Sequence, residues 1–271
     1  MTLIESARNA LADADALLIT AGAGMGVDSG LPDFRGKEGF WRHYPPFAKL
    51  GLSFESVANP RWFADDPPLA WGFYGHRLNI YRNTTPHHGF RLLLEAANRI
   101  PGGYFVVTSN VDGQFEKAGF DPSRIYEIHG SIHSLQCATP CHQALWTADG
   151  LDVDVHPTDF RATSNLPVCP RCHEVCRPNI LMFGDWVWIS HRSDQQKGAF
   201  EFWLDSLHAK RVVVIECGAG TAIPSIRSLS CQVAKRTSGT LIRINPRDSD
   251  VLSGQISIPY GALHGISQLF L

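Results

Sequence analysis

Apolar residues recur at helical spacing over residues 3–14, and the pattern then changes. Ala16-Leu17-Leu18-Ile19-Thr20 is a short run with almost no polar interruption, as expected of a strand covered on both faces. Similar runs stand at Tyr104-Phe105-Val106-Val107-Thr108, Arg124-Ile125-Tyr126-Glu127-Ile128, Val212-Val213-Val214-Ile215 and Leu241-Ile242-Arg243-Ile244. Helical patterns separate several of them, at about 88–98, 113–118, 195–208 and 222–235. Continuous apolar strands alternating with helices predict an α/β fold: a doubly wound parallel sheet of Rossmann-like type. Residues 37–87, rich in aromatics, prolines and short helical pieces, read as an insertion, and so does 131–178.

The first strand run ends in Ala21-Gly22-Ala23-Gly24-Met25-Gly26. A strand, a glycine-rich turn and a helix form a phosphate cradle: small residues let the backbone approach a pyrophosphate, and the helix N-terminus supplies N–H donors. The spacing here is G-x-G-x-G rather than G-x-G-x-x-G. It predicts a nucleotide-binding domain built from 1–36, 88–130 and 179–271, with a small domain built from 37–87 and 131–178.

The cysteines alter that picture. Cys137, Cys141, Cys169, Cys172 and Cys176 cluster in one window, while Cys217 and Cys231 lie outside it. Clustered cysteines in a chain without a secretion signal read as metal ligands before disulfides. Two close pairs, C-x3-C (Cys137, Cys141) and C-x2-C (Cys169, Cys172), suit one tetrahedral Zn2+. Four thiolates leave no open coordination position, so this zinc is expected to be structural; buried free thiols are the alternative. Cys176 reads as the chain's exit from the knuckle, Cys217 as core, and His142 and His173 as surface neighbours of the ligands.

Composition narrows the partners. The chain has 271 residues, with Lys+Arg 24 against Asp+Glu 26 and a net charge of -2, which removes the electrostatic case for a nucleic-acid or anionic-membrane binder. No apolar run approaches the ~20 residues of a membrane span. Met1-Thr2-Leu3-Ile4-Glu5 lacks the basic region and apolar core of a signal peptide, so the expected location is cytoplasmic. Oligomeric state leaves no signal in the sequence.

Four segments fall at the ends of predicted strands: Gly22 through Gly36, Thr108-Ser109-Asn110-Val111-Asp112, His129-Gly130, and Arg177-Pro178-Asn179-Ile180-Leu181-Met182-Phe183-Gly184-Asp185. In this order, and with the cysteine pairs between the third and fourth, the chain resembles the sirtuins, the NAD-dependent protein deacylases, from about residue 15 to 265. The resemblance implies NAD as co-substrate, an acyl-lysine protein or peptide as partner, and roles for matching positions. Gly22, Ala23 and Gly24 would hold the pyrophosphate. Asp33, Phe34 and Arg35 would line the pocket around the nicotinamide ribose. Asn110 and Asp112 would bind nicotinamide, and His129 would be the general base, which an imidazole titrating near ~6.5 suits. Phe183 and Gly184 would border the acyl-lysine channel, and Asn245 would meet the adenosine ribose. The products would be free lysine, nicotinamide and O-acyl-ADP-ribose.

The chain departs from the family pattern in four places. Gly26 stands where Ser or Thr is usual, Ser109 where Gln is usual, and Asp185 where Glu is usual. The Gly-Thr-Ser turn after the fifth strand is replaced by Cys217-Gly218-Ala219-Gly220-Thr221-Ala222, which offers two registers, Gly218-Ala219-Gly220 or Gly220-Thr221-Ala222. Gly26 and Ser109 keep an ADP-ribosyltransferase or NAD glycohydrolase open as an alternative, with a non-catalytic NAD-sensing zinc-ribbon module as a third class.

Phe73-Tyr74-Gly75-His76-Arg77 carries a substrate clue. Tyr74 and Arg77, three apart, share a helix face. They resemble the pair with which the desuccinylase branch of sirtuins binds an acyl-terminal carboxylate, for which a guanidinium fork is well matched. The alternative is an ordinary amphipathic helix.

Overall fold

The computed structural model describes residues 2–33 and 36–270. Its strands are β1 (Ala16–Ala21), β2 (Tyr104–Thr108), β3 (Ile125–Glu127), β4 (Gly130–Cys137), β5 (Trp146–Thr147), β6 (Cys176–Ile180), β7 (Val212–Cys217), β8 (Thr240–Ile244) and β9 (Ile256–Ile258). Six form one sheet in the order β3-β2-β1-β7-β8-β9, and every pairing in it is parallel. Counted within the sheet, the order steps outward one way from β1 and then reverses, which is the doubly wound arrangement.

The continuous apolar runs follow from cover on both faces. Side chains alternate across a strand. Leu17, Ile19, Val106, Val213, Ile215 and Ile242 turn to one face, against Phe90, Leu93 and Ile266. Leu18, Phe105, Val107, Val214 and Leu241 turn to the other, against Phe200, Leu204 and Ile226. All residues of β1, β2 and β7 are buried.

The structure adds to the sequence reading at four points. The helix expected after the first glycine turn is a 3-10 helix over Ala23–Ser29 that begins inside the turn itself. The helix expected from 195 begins at His191. The strand β9 and the helix Ala262–Phe270 complete the sheet's edge and one face; three strand residues are too few to display a period. A second, antiparallel sheet, β5-β4-β6, lies in the cysteine-bearing region. Its sequence, Gly130-Ser131-Ile132-His133-Ser134, alternates too weakly to be read, and a register shift interrupts its pairing.

The two inserted stretches share a single core. Tyr44, Phe47, Phe63, Trp71, Phe73 and Tyr74 from the first pack with Ile132, Leu135 and Val153 from the second, and with Ile180 and Met182 just beyond it. Trp71 is fully buried and donates from Nε1 to the Cys176 carbonyl at 2.8 Å, joining the helix Pro67–Asn83 to β6. That helix starts at Pro67 behind Asp66, whose side chain accepts the Leu69 amide. Apolar and polar positions alike are buried around its circumference because it lies inside the small domain rather than on its surface.

One buried ion pair fixes the segment after β6. Arg177 donates to Asp185 at 2.6 Å, with both side chains excluded from solvent. Asp185 also accepts the Met182 and Val187 amides, at 3.3 and 3.1 Å, which ties the 182–187 turn into one shape. Removing one partner of such a pair leaves an uncompensated charge, typically costing about 3–5 kcal/mol. Arg177→Met should therefore lower the urea-unfolding free energy of the zinc-loaded protein by that order. A loss under about 1 kcal/mol would mean the pair does not anchor this turn.

Candidate active site and cysteine cluster

Ligand crevices of open α/β sheets form beyond the strand ends where the order reverses, here between β1 and β7. β1 leads into Gly22-Ala23-Gly24 and β7 into Gly218-Ala219-Gly220, and the two turns cross in backbone contact. The Gly22 amide donates to the Cys217 carbonyl and the Gly24 amide to the Gly218 carbonyl, both at 3.0 Å. Gly218 has φ +63, and a Cβ there would lie 2.3 Å from the Gly24 carbonyl carbon. This crossing selects the Gly218-Ala219-Gly220 register. Thr221 is exposed and off the wall of the cavity.

The cavity at this crossing has a volume of about 610 Å3. Of the residues singled out from sequence, Gly22, Ala23, Asp33, Ser109, Asn110, Asp112, His129, Phe183, Gly218 and Gly220 line it, and Tyr74 and Arg77 line it from the small domain. Gly24 does not; its backbone faces Gly218 instead. Gly184, with φ +66, forms the turn behind Phe183. Asn245 is fully buried away from the cavity: it donates to the Ala219 carbonyl at 2.9 Å and accepts the Arg247 and Asp248 amides at 3.0 Å. It shapes the glycine turn rather than facing it. Phe34 and Arg35 lie outside the described residues; Asp33 bonds Arg247 at 2.7 Å.

Local hydrogen bonds aim the polar groups. Thr108 accepts the Asn110 amide at 3.0 Å and donates to the Ala21 carbonyl at 3.1 Å. The Asn110 side chain donates to the Gly22 carbonyl at 3.1 Å, so the β2 loop is held against the β1 turn. Asp112 accepts the Gln114 amide at 3.0 Å, and His133 Nε2 is 3.0 Å from the Asp112 carbonyl, a structural role for that histidine. Burial pushes the Asp112 carboxyl up to about 6, opposed by the Gln114 bond and reinforced by the charge of Glu127. Burial lowers His129, with a bond to the Ser109 backbone opposing it, so the imidazole is neutral at neutral pH. His129 is placed by Gly130, whose φ of +77 and 2.1 Å approach of a notional Cβ to the Asn179 carbonyl admit only glycine. The His129 carbonyl in turn accepts the Leu181 amide at 2.9 Å, bringing the cavity wall after β6 beside the histidine. Gly26 is buried beneath Leu31, whose Cδ1 would be 3.0 Å from a Cβ, so a serine there requires Leu31 to shift.

The small-domain wall contains residues that the sequence reading missed. Tyr81 and Phe54 line the cavity with Tyr74 and Arg77. Tyr81 stands four residues after Arg77 on one helix, so extending the helical spacing by one turn was the available signal.

At the far end of β4 and β6, the ligating atoms of Cys137, Cys141, Cys169 and Cys172 all lie within 4.8 Å of one another. The Cys137–Cys172 and Cys141–Cys169 sulfur separations are 3.6 and 3.7 Å. Tetrahedral zinc with bonds of about 2.3 Å requires sulfurs about 3.8 Å apart, so the set fits Zn2+. Cys176 pairs opposite Cys137 across the strands and stays outside the cluster; its buried thiol is pushed up to about 12. His142 Nε2 lies 3.4 Å from the Cys169 sulfur, a contact to a ligand rather than a fifth ligand, and His173 is exposed.

A doubly wound sheet with a glycine crossing at its switch point, an Asn/Asp/His wall and a four-cysteine knuckle defines a class. A profile described as Sir2 family matches residues 22–201, and the chain belongs to that family. It is 32% identical over 185 residues to an NAD-dependent protein deacylase of Thermococcus sibiricus, covering 68% of this chain and 66% of the relative. It is 30% identical to one of Leptospira interrogans, covering 86% and 82%. Among solved structures, a Sir2 homolog–NAD complex superposes with a TM-score of 0.71 at 25% identity, covering 98% of this chain and 92% of that one. Among the described residues, no helix is long and apolar enough to cross a membrane.

The purified chain should carry one zinc. Cys169→Ala should lose the metal and unfold more readily, because structural zinc binding is itself folding free energy. Full zinc occupancy of the variant by elemental mass spectrometry would remove Cys169 from the ligand set.

Proposed function

We propose that the protein is an NAD-dependent protein lysine deacylase that yields nicotinamide and O-acyl-ADP-ribose. The observation that carries this reading is the convergence of Asn110, Asp112 and a neutral His129 on one cavity with the glycine crossing. The cradle fits a dinucleotide: side chains are absent where the two turns meet, and the cavity continues to the small domain. When bound, NAD supplies the ribosyl carbon to which the acyl oxygen transfers.

Each side chain then has a task. Asn110, fixed to the Gly22 carbonyl, presents its amide to the carboxamide of the nicotinamide. Asp112, when ionised, accepts from the same group and holds it out of its relaxed pose. His129 takes a proton from a ribose hydroxyl after the glycosidic bond has broken, which its neutral form allows. Phe183 and Met182 close the channel from the β6 side and exclude water. Tyr74 and Arg77, buried in the wall of the same cavity, favour an acyl chain ending in a carboxylate, such as succinyl. The zinc cluster holds the small domain together and takes no part in the chemistry.

The test is mass spectrometry of products from NAD with acetyl-, succinyl- and long-acyl-lysine peptides. O-acyl-ADP-ribose supports deacylation, while ADP-ribosylated protein or free ADP-ribose alone would replace it with transferase or glycohydrolase activity. His129→Ala should lower deacylation by roughly 10²–10⁴ while retaining nicotinamide exchange, since the base acts after the first bond breaks. A variant that deacylates at the parental rate removes His129 from this role.

The pH dependence follows from Asp112. Its carboxyl in the folded protein titrates at about 6, above the ordinary value of 3.8, so the ionised acceptor is present above pH 6 and lost as the pH falls through it. Burial holds His129 below the ordinary imidazole value, which favours its neutral form at neutral pH. Nicotinamide release should therefore be level above neutral pH and drop with a midpoint near pH 6. A profile still level at pH ~4, the ordinary range of an aspartate, would contradict the need for ionised Asp112.

A further inference from the structure

Arg77 is only 7% exposed, in a wall made largely of rings. Its guanidinium carbon sits 5.3 Å from the Phe73 ring centre, 5.4 Å from Tyr81, and 5.9 Å from Tyr74 and Phe54. Aromatic faces stabilise a cation without neutralising it. The side edge of the fork grips a single atom: Nε and Nη2 both donate to the Tyr81 hydroxyl oxygen, at 3.0 and 2.7 Å.

The valence of that oxygen sets what Tyr81 can still do. A phenol oxygen accepts hydrogen bonds and carries one O–H donor. The two bonds from Arg77 take up the acceptor side of the oxygen, so the proton is what the hydroxyl has left to offer. Tyr81 is 5% exposed and lines the cavity beside Arg77 and Tyr74. Burial also pushes its hydroxyl up, which keeps the proton in place. A neutral phenol fixes the plane of the guanidinium and carries no charge of its own to set against it.

We propose that Tyr81 is a specificity-determining residue for the acyl group: its hydroxyl orients the Arg77 fork and donates its own proton to the terminal carboxylate of a dicarboxylic acyl chain on the substrate lysine. The carboxylate then has two donors on neighbouring groups of one helix, the guanidinium and the phenol. An acetyl group is too short and carries no charge to meet either. This inference rests on the deacylase reading above and deepens it.

The experiment measures kcat/KM for succinyl-, acetyl- and long-acyl-lysine versions of one peptide, using zinc-loaded parent protein, Tyr81→Phe and Arg77→Met. Taking the succinyl-to-acetyl ratio within each protein cancels any loss of folded material. The parent should favour succinyl. Tyr81→Phe keeps the ring and should lower the ratio about tenfold or more, as expected for a hydrogen bond to a charged group, chiefly through the KM of the succinyl peptide. Arg77→Met should lower it further. A parent that turns over none of these peptides overturns the deacylase reading, and a parent that prefers acetyl or long-acyl overturns the carboxylate reading of this wall. A parent that prefers succinyl, with Tyr81→Phe leaving the ratio within about twofold, overturns the role of Tyr81 alone.

Discussion

The site depends on two chain turns touching without side chains between them. At the switch point of the sheet the β1 and β7 strand ends are bonded neighbours, so the turns that follow must cross. Close packing inside proteins leaves no room for a Cβ at such a crossing. Gly24 and Gly218 meet this constraint, and the neighbouring parts follow from it. The Gly22 carbonyl becomes the acceptor that aims Asn110, the Ala219 carbonyl is held by Asn245, and the cavity opens above bare backbone that a pyrophosphate can approach.

Around this crossing the chain keeps several buried charges in different ways. Arg177 and Asp185 neutralise one another, and their service is mechanical: they shape the turn that walls the channel. Asp112 is buried where its ionised form is costly, a tension common at functional sites. Arg77 is wrapped in rings and bonded to the Tyr81 hydroxyl, which places its cation in the wall of the cavity. The first pair stabilises the frame, and the other two residues put electrostatic energy where a ligand would sit.

The small domain shows how distant stretches of sequence become one object. The helix Pro67–Asn83 brings Tyr74, Arg77 and Tyr81 to the cavity, but the wall it packs against comes from β4, β6 and the loops between them. The four-cysteine cluster closes the outer end of those strands, so a zinc held there would secure one wall of the cavity from a distance. His87, unremarkable in the sequence, caps the helix His88–Ala97 and holds the Met25 carbonyl, linking the helical layer to the nucleotide turn.

The sequence alone determined what depends on local pattern. Apolar runs such as Val212-Val213-Val214-Ile215 state that both faces are covered, so the parallel sheet was legible, and the spacing of two cysteine pairs states a tetrahedral site. Asn110, Asp112 and His129 were legible because short motifs at strand ends occur in a recognisable order. Tertiary structure decided what depends on neighbours distant in sequence. Only the contact with Gly24 chooses the register at Gly218, and only the Ala219 carbonyl with the Arg247 and Asp248 amides turns Asn245 inward. The weakly alternating β4 becomes a strand because β6 pairs with it, and the three residues of β9 because β8 does. Tyr81 acquires chemical meaning from a helix phase and a cavity together. The reason is physical: periodicity records whether a residue is covered, while its role depends on which atoms cover it.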